Sequence, residues 1–307
     1  MLSALAVAVA GGLELVIGEP PTRLHPVAWF GRLVGTVDRE WDHPLAVGTL
    51  AATLLPLGVA VVVGGSVALA ATREPLASVA LAGLALFLTT SLRSLLSTAR
   101  GVIADSDADL PAARDGLLAL AGRDAGALSA GEVRSAAVES ASENLADGLV
   151  ASLAAFVIGG LLAASVGQPP LPVAAGTATW VKAVNTMDSM LGYRSKRVGT
   201  PAARLDDAVM WLPARVSALL LAIACGSPQS VARARSWLDG VPSPNSGWPM
   251  GTAAAALDVR LEKPGVYVLN PAGGLPDVAT AKRSVTRVGV AGVLAYLLAG
   301  LGVVAWF

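Results

Sequence analysis

The sequence predicts an all-α integral membrane protein with about five to six transmembrane helices. Re-entrant or interfacial segments and large cytoplasmic polar loops, one holding a small β-hairpin, complete the expected fold. Three observations carry this. Hydrophobic residues make up 54% of the 307 and charged residues only 14%, whereas a soluble domain carries roughly 25% charge. The uncharged residues are bunched at 45–71, 75–92, 148–181 and 288–307, each at or near the ~20 residues that cross a hydrocarbon core. Nearly all Lys and Arg fall in three polar segments, 18–44, 93–147 and 185–285, which the positive-inside rule puts in the cytoplasm.

Each element follows in order. Residues 2–17 are apolar apart from Glu14, and no Lys or Arg precedes Arg23. A signal peptide needs a basic start, so this reads as a retained helix. Runs 45–71 and 75–92 meet in the tight Thr72-Arg73-Glu74-Pro75 turn. Segment 93–147 has Ala and Leu at helical spacing with Asp and Arg between, and Asp109-Leu110-Pro111 suits a helix start. Gly167-Gln168-Pro169-Pro170 divides the longest run into a firm span, 148–166, and a weaker one, about 171–184. Residues 214–226 are apolar but short and begin beside Arg215, which favours a re-entrant or packed segment. Segment 227–285 is rich in Pro, Gly, Ser and Asn, with Val259-Arg260-Leu261 and Val266-Tyr267-Val268-Leu269 around Lys263-Pro264-Gly265 predicting a hairpin. The chain reads as a single membrane domain over 1–307, with abundant Gly and Ala for close helix packing in lipid.

Composition also excludes. Lys plus Arg equals Asp plus Glu, 22 each, which removes the basic footprint of a nucleic-acid binder. Cys225 is the single cysteine, and His25 and His43 are the only histidines. An intrachain disulfide and a three-histidine zinc site are therefore impossible within one chain. Neither G-x-x-x-x-G-K-[ST] nor G-x-G-x-x-G occurs.

Four polar clusters stand out. The first is Gly18-Glu19-Pro20 with Leu24-His25-Pro26-Val27, where His25 between Glu19 and Arg23 can orient an anion; a plain interfacial turn anchored by Trp29 accounts for it too. In the second, Glu139, Glu143 and Asp147 fall four apart. On a helix they form one acidic stripe, read either as a solvated face or as carboxylates for Mg²⁺. The third contains Lys182, Asn185 and Asp188 at three-residue spacing, then Arg194, Arg204, Asp207 and Arg215. Ionisable groups at a membrane edge are functional suspects, although a basic flank would explain Lys196 and Arg197. The fourth is the turn Ser243-Pro244-Asn245-Ser246-Gly247-Trp248-Pro249, whose exposed N–H groups suit phosphate, but which turn chemistry alone also explains.

Together these stretches resemble the adenosylcobinamide-phosphate synthase family of cobalamin biosynthesis. The matching residues are Gly18-Glu19-Pro20 with Leu24-His25-Pro26-Val27 and Trp29, then Glu139-Ser140 with Ser142-Glu143-Asn144 and Asp147-Gly148. Lys182 to Met190 follows, with Gly192-Tyr193, Ala203-Arg204-Leu205-Asp206-Asp207 with Pro213-Ala214-Arg215, and Ser243 to Pro249. They run in the family's order from the first helix past residue 240. Two departures are Glu19, where the family often has Asp, and Trp237-Leu238-Asp239-Gly240, where many members have a His-rich or Arg-containing approach to Ser243.

The resemblance implies a multi-pass cell-membrane enzyme with its active site at the cytoplasmic face. It implies ATP-dependent amide formation between adenosylcobyric acid, a corrinoid, and (R)-1-aminopropan-2-ol O-phosphate or free aminopropanol. ATP and Mg²⁺ are the implied cofactors, and the bilayer and other cobalamin-assembly membrane enzymes the implied partners. Expected catalytic residues are Glu143, Asn144, Asn185, Asp188 and Asp207. Expected substrate-binding residues are His25, Lys182, Arg194, Arg204, Arg215, Ser243, Asn245 and Ser246, and expected metal ligands are Glu139, Glu143 and Asp147. All these clusters are expected to converge on one open cavity. A membrane transporter or corrinoid-binding scaffold is the alternative; a transporter predicts internal repeats, and the sequence has none.

Overall fold

The computed structural model describes residues 2–121, 125–193 and 195–306. In chain order the helices are α1 (Leu2–Val16), α2 (Pro26–Gly35), α3 (Pro44–Ala71), α4 (Pro75–Leu88), α5 (Leu92–Ala108), α6 (Leu110–Ala121) and α7 (Ala130–Leu145). They continue as α8 (Ala151–Ser165), α9 (Pro170–Leu191), α10 (Thr200–Val209), α11 (Trp211–Ala224), α12 (Ser230–Ala234), α13 (Gly247–Leu257) and α14 (Val278–Gly302). A π-helical turn, Ala146–Val150, joins α7 to α8, and a 3-10 turn, Val303–Trp306, follows α14. Among the described residues the only sheet is a hairpin of β1 (Leu261–Lys263) and β2 (Tyr267–Leu269), with Leu261 opposite Leu269 and Lys263 opposite Tyr267. The all-α class and the predicted hairpin are both present.

Local chemistry sets the helix starts. Pro26, Pro44, Pro75 and Pro170 open α2, α3, α4 and α9, where their missing N–H costs nothing. Glu74 Oε1 caps α4 by accepting from Leu76 N at 3.3 Å. Asp109 accepts from Ala112 N at 3.1 Å, as its position before Pro111 predicts. Ser129 and Glu132 form a reciprocal capping box on α7.

Among the described residues four helical stretches are long and apolar enough to cross a membrane: Pro44–Ala71, Pro75–Ala108, Ala130–Ser165 and Val278–Trp306. The bent pair Arg197–Val209 and Trp211–Ala224, meeting at 48°, makes a fifth if it is one span. The second and third run well beyond the expected 75–92 and 148–166, because polar residues continue the helix at their ends. The weaker span expected at 171–184 is the first part of α9, which is not among the four; Lys182, Asn185 and Asp188 make its second half polar.

The described chain groups into two compact units. One comprises 1–91, 147–210 and 296–307, the other 92–146 and 211–295. The sequence reads as one domain, because apolar patterning shows which faces are buried but not against which partner.

In the first unit α9 is central: α3, α8, α2 and α10 all pack on it, while α1 packs on α4. Glycine makes the closest approach possible. A Cβ on Gly64 of α3 would meet the Pro172 carbonyl oxygen, and one on Gly176 of α9 would meet the Ala60 carbonyl oxygen. Small residues thus let two backbones touch, the usual route to association in lipid. The Trp306 indole donates to Val157 O at 3.1 Å and lies 5.7 Å from the Phe156 ring.

In the second unit α7 packs against α5, α6, α13 and β1. A buried carboxylate fixes the hairpin. Glu139 accepts from Ser135 Oγ at 2.7 Å and from Tyr267 OH at 2.6 Å. Ser135 Oγ in turn accepts from Glu262 N at 2.8 Å.

Replacing Gly176 with Leu is expected to force α3 and α9 apart and to destabilise by roughly 1–3 kcal/mol, the usual cost of overpacking. Gly65 has open space around it, so Gly65→Leu should leave the unfolding midpoint in detergent unchanged. Equal midpoints for both variants would refute the glycine contact.

Candidate active site

The strongest polar constellation lies in the first unit and is built on α9. The helical period puts Lys182, Asn185 and Asp188 one turn apart along it. Asn185 Nδ2 donates to Asp206 Oδ1 of α10 at 3.5 Å. The Asn185 side chain also lies beside Asp147, which sits in the π-turn. One amide has two N–H donors, so it can serve both carboxylates. π-turns recur at functional sites because they re-aim a side chain out of the helical register.

Lys182 lies within electrostatic range of Asp147, Glu19 and Asp206. Yet its ammonium has no hydrogen bond or ion pair among the described residues. Asp188 feels Asp207 and Asp147. A polar cavity of about 380 Å³ adjoins this group; its wall includes Glu19, Thr22, His25, Thr90, Ser91 and Lys182. A cation with unused donors thus faces a cavity, with several carboxylates close behind it. Such a site can hold an anion at Lys182 and a cation or proton at the carboxylates.

His25 caps α2, its Nδ1 accepting from Val27 N at 3.2 Å. Burial pushes the imidazole below its ordinary value; Glu19 pulls it up and Lys182 pushes it down again. The cap needs the neutral ring.

The other expected site residues are distributed as follows. Arg215 and Asn245, in the second unit, bind each other: Arg215 Nη1 donates to Asn245 Oδ1 at 2.6 Å, and Nη2 to Pro244 O at 3.3 Å. The guanidinium also lies 4.7 Å from the Trp211 ring and 5.1 Å from the Trp248 ring. Ser243 Oγ accepts from Asn245 N and Ser246 N. These contacts fix the turn that the sequence assigns to substrate. Asn144 donates to Ser140 O at 3.0 Å along α7. Glu143 is half-buried on α7, and Arg204 is exposed on α10. Arg194 lies outside the described residues.

The residues expected as metal ligands are Glu139, Glu143 and Asp147. Among the described residues no three His, Cys, Asp or Glu side chains form a group that could hold a metal ion. Glu139 gives its oxygens to Ser135 and Tyr267. The π-turn at Ala146–Val150 departs from the 3.6-residue period on which the acidic stripe was built. Asp206 and Glu19 were not expected as site residues. Asp206 had a legible signal: with Ala202 and Met210 it falls on the buried face of α10 at helical spacing, a carboxylate on an apolar stripe.

The fold is that of an all-α membrane protein, and the candidate site is a cluster of polar side chains carried by its helices. The family model described as CobD/Cbib protein matches residues 7–296. The chain is 36% identical to the probable cobalamin biosynthesis protein CobD of Methanothrix thermoacetophila, over 94% of this chain and 93% of the relative. It is 32% identical to a protein of the same name from Methanothermobacter thermautotrophicus, covering 86% of each. It is 35% identical to the cobalamin biosynthesis protein CobD of Klebsiella pneumoniae, over 87% of this chain and 84% of the relative. No solved structure matches the chain significantly. The chain belongs to the CobD/Cbib family, which works in cobalamin biosynthesis.

Because the folded His25 value lies below the unfolded value of 6.5, the unfolded state binds the proton first. The stability that burial of the neutral ring links to pH is fully present above pH 6.5 and is lost as pH falls through the folded value. Asn also caps but does not titrate there. Melting curves in detergent should show wild type losing stability that His25→Asn keeps as pH falls below 6.5. Parallel pH profiles would contradict the burial of a neutral His25.

Proposed function

We propose that this protein is an adenosylcobinamide-phosphate synthase. It joins the carboxylate of adenosylcobyric acid to the amine of (R)-1-aminopropan-2-ol O-phosphate, or of free aminopropanol, with ATP supplying the energy. Membership of a cobalamin-biosynthesis family supports the substrate class. The observation that carries the chemistry is the unbonded Lys182 ammonium, facing a polar cavity beside carboxylates organised by Asn185.

Acid–amine ligation asks for these groups. A carboxylate resists amine attack because it has no leaving group. Transfer of the γ-phosphoryl group of ATP to it releases ADP and gives an acyl phosphate. The neutral amine then attacks the acyl carbon, the C–N bond forms, and phosphate leaves. Lys182 holds the anionic acid and offsets charge on its oxygens. Glu19, across the cavity wall, pairs with the incoming ammonium and takes the proton that must leave before attack. Asn185 fixes Asp147 and Asp206 so that their charge is presented in one direction. Asp188 and Asp207 extend the acidic wall, and Arg204 and Arg194 contribute cations for phosphate.

The donor chemistry fits Mg²⁺ in one form only. Mg²⁺ is commonly held by one or two carboxylates plus substrate phosphates, without a protein cage. Asp147 and Asp206 would supply those carboxylates, and the ion would neutralise nucleotide phosphate charge. Glu143, Asn144, Arg215, Ser243, Asn245 and Ser246 remain proposed contacts for the nucleotide or the corrinoid rim. The reaction face is proposed to be cytoplasmic, where ATP is available.

Purified protein in detergent, given adenosylcobyric acid, aminopropanol phosphate and Mg-ATP, should yield the amide by mass spectrometry, with ADP released in equal amount. Lys182→Met should lower kcat/KM by on the order of 10²–10³, the cost of one transition-state donor. Asn185→Ala should cost less, roughly 10–100-fold, since it positions carboxylates that remain. Corrinoid recovered unchanged by a folded protein would sink the ligase assignment. Full activity in Lys182→Met would sink the role of that residue.

A further inference from the structure

His25 stands in the wall of the polar cavity with Glu19 and Lys182, yet the reaction above gives it no part. A backbone N–H can only donate, so the Nδ1 that accepts from Val27 N at 3.2 Å carries a lone pair and no proton. In a neutral imidazole the proton then sits on Nε2. The helix cap thus fixes the tautomer. The turn that carries the ring is held too: the Trp29 indole donates to Arg23 O at 2.9 Å, and Leu24 N donates to Pro21 O at 2.8 Å. Nε2 itself has no hydrogen bond or ion pair among the described residues.

We propose that the His25 Nε2–H is a fixed, uncharged donor to the oxygen that the amine substrate carries on the carbon next to its aminomethyl group. It thereby selects vicinal amino alcohols and their phosphate esters over plain alkylamines. The inference rests on the ligase reading and deepens it. Three observations point to that oxygen. The first is capacity. With Nδ1 committed to the cap, the neutral ring has no lone pair left for the amine's proton, so it can give a hydrogen bond but not act as the base. Glu19 remains for that role. The second is place. His25 and Glu19 share the cavity wall and lie within electrostatic range of each other. Nitrogen and oxygen of a vicinal amino alcohol sit on neighbouring carbons, so an ammonium held at Glu19 brings the oxygen toward the ring. The third is charge. Lys182 disfavours a second cation at His25 and already serves the anionic acid, so the ring contributes a neutral donor, which suits a hydroxyl or an ester oxygen. A plain alkylamine would leave this half-buried N–H without a partner, and sites built to bond a substrate oxygen discriminate in that way.

The test reads the ring directly. The full chain is labelled with ¹⁵N-histidine and placed in nanodiscs. His25 and His43 are the only histidines, so His43→Gln leaves one set of ring signals. Above pH 6.5, long-range ¹H–¹⁵N spectra should show Nε2 protonated and Nδ1 bare. With adenosylcobyric acid present and ATP withheld, (R)-1-aminopropan-2-ol should shift the Nε2–H signal, and propylamine should not. In turnover, wild type should favour the amino alcohol over propylamine in kcat/KM, and His25→Asn should lose about 10-fold of that preference, the scale of one hydrogen bond. Asn keeps a capping oxygen but has no donor at the Nε2 position. A proton on Nδ1, the absence of a shift specific to the amino alcohol, or an undiminished preference in folded His25→Asn would overturn the proposal. The tautomer and the shift are read without turnover. Both observed in a protein that forms no amide would uphold the donor and sink the ligase reading alone.

Discussion

The constraint on which the first unit depends is the burial of opposite charges along one side of α9. Each ion taken out of water costs roughly several kcal/mol unless partners compensate. Asn185 is the neutral member that makes the arrangement workable. Its amide donates to Asp206 on α10 and lies beside Asp147 in the π-turn, so three separate chain segments meet at one side chain. Lys182 supplies opposing charge nearby without being consumed by a direct ion pair. A close ion pair would be more stable locally but would leave nothing to bind with.

That arrangement needs a rigid base. Glycine supplies it where α3 and α9 touch through Gly64 and Gly176. In lipid there is no hydrophobic force between helices, so packing contacts must hold them. The polar half of α9 stays packed on its other face, where Ala183, Met187 and Leu191 cluster with Phe30, Ala52 and Ala202, so one helix carries both an apolar seam and the charged residues.

The second unit applies a different solution to buried polarity. Glu139 accepts two hydroxyl hydrogen bonds and anchors the hairpin to α7. Arg215 lies near two indole rings and donates to Asn245. Both side chains were candidates for chemistry in the sequence, and both use hydrogen-bonding capacity to hold structure. A motif residue can hold a loop's shape through the same groups that would bind a ligand, and spacing alone does not separate the two uses.

The sequence by itself determined the helical membrane class, the place of the hairpin around Lys263-Pro264-Gly265 and the helix start at Asp109. These depend on local periodicity and on backbone chemistry within a few residues. It also marked Lys182, Asn185, Asp188 and Asp147, because charges beside apolar runs stand out wherever they occur. Only the tertiary structure decided that Asp206 and Glu19 join Lys182 while Glu139 turns to Tyr267. It also decided that the acidic stripe is interrupted by a π-turn and that the chain groups into two units. Those outcomes depend on which helix faces which, a sum of many small packing terms between residues far apart in sequence. No single residue encodes that sum.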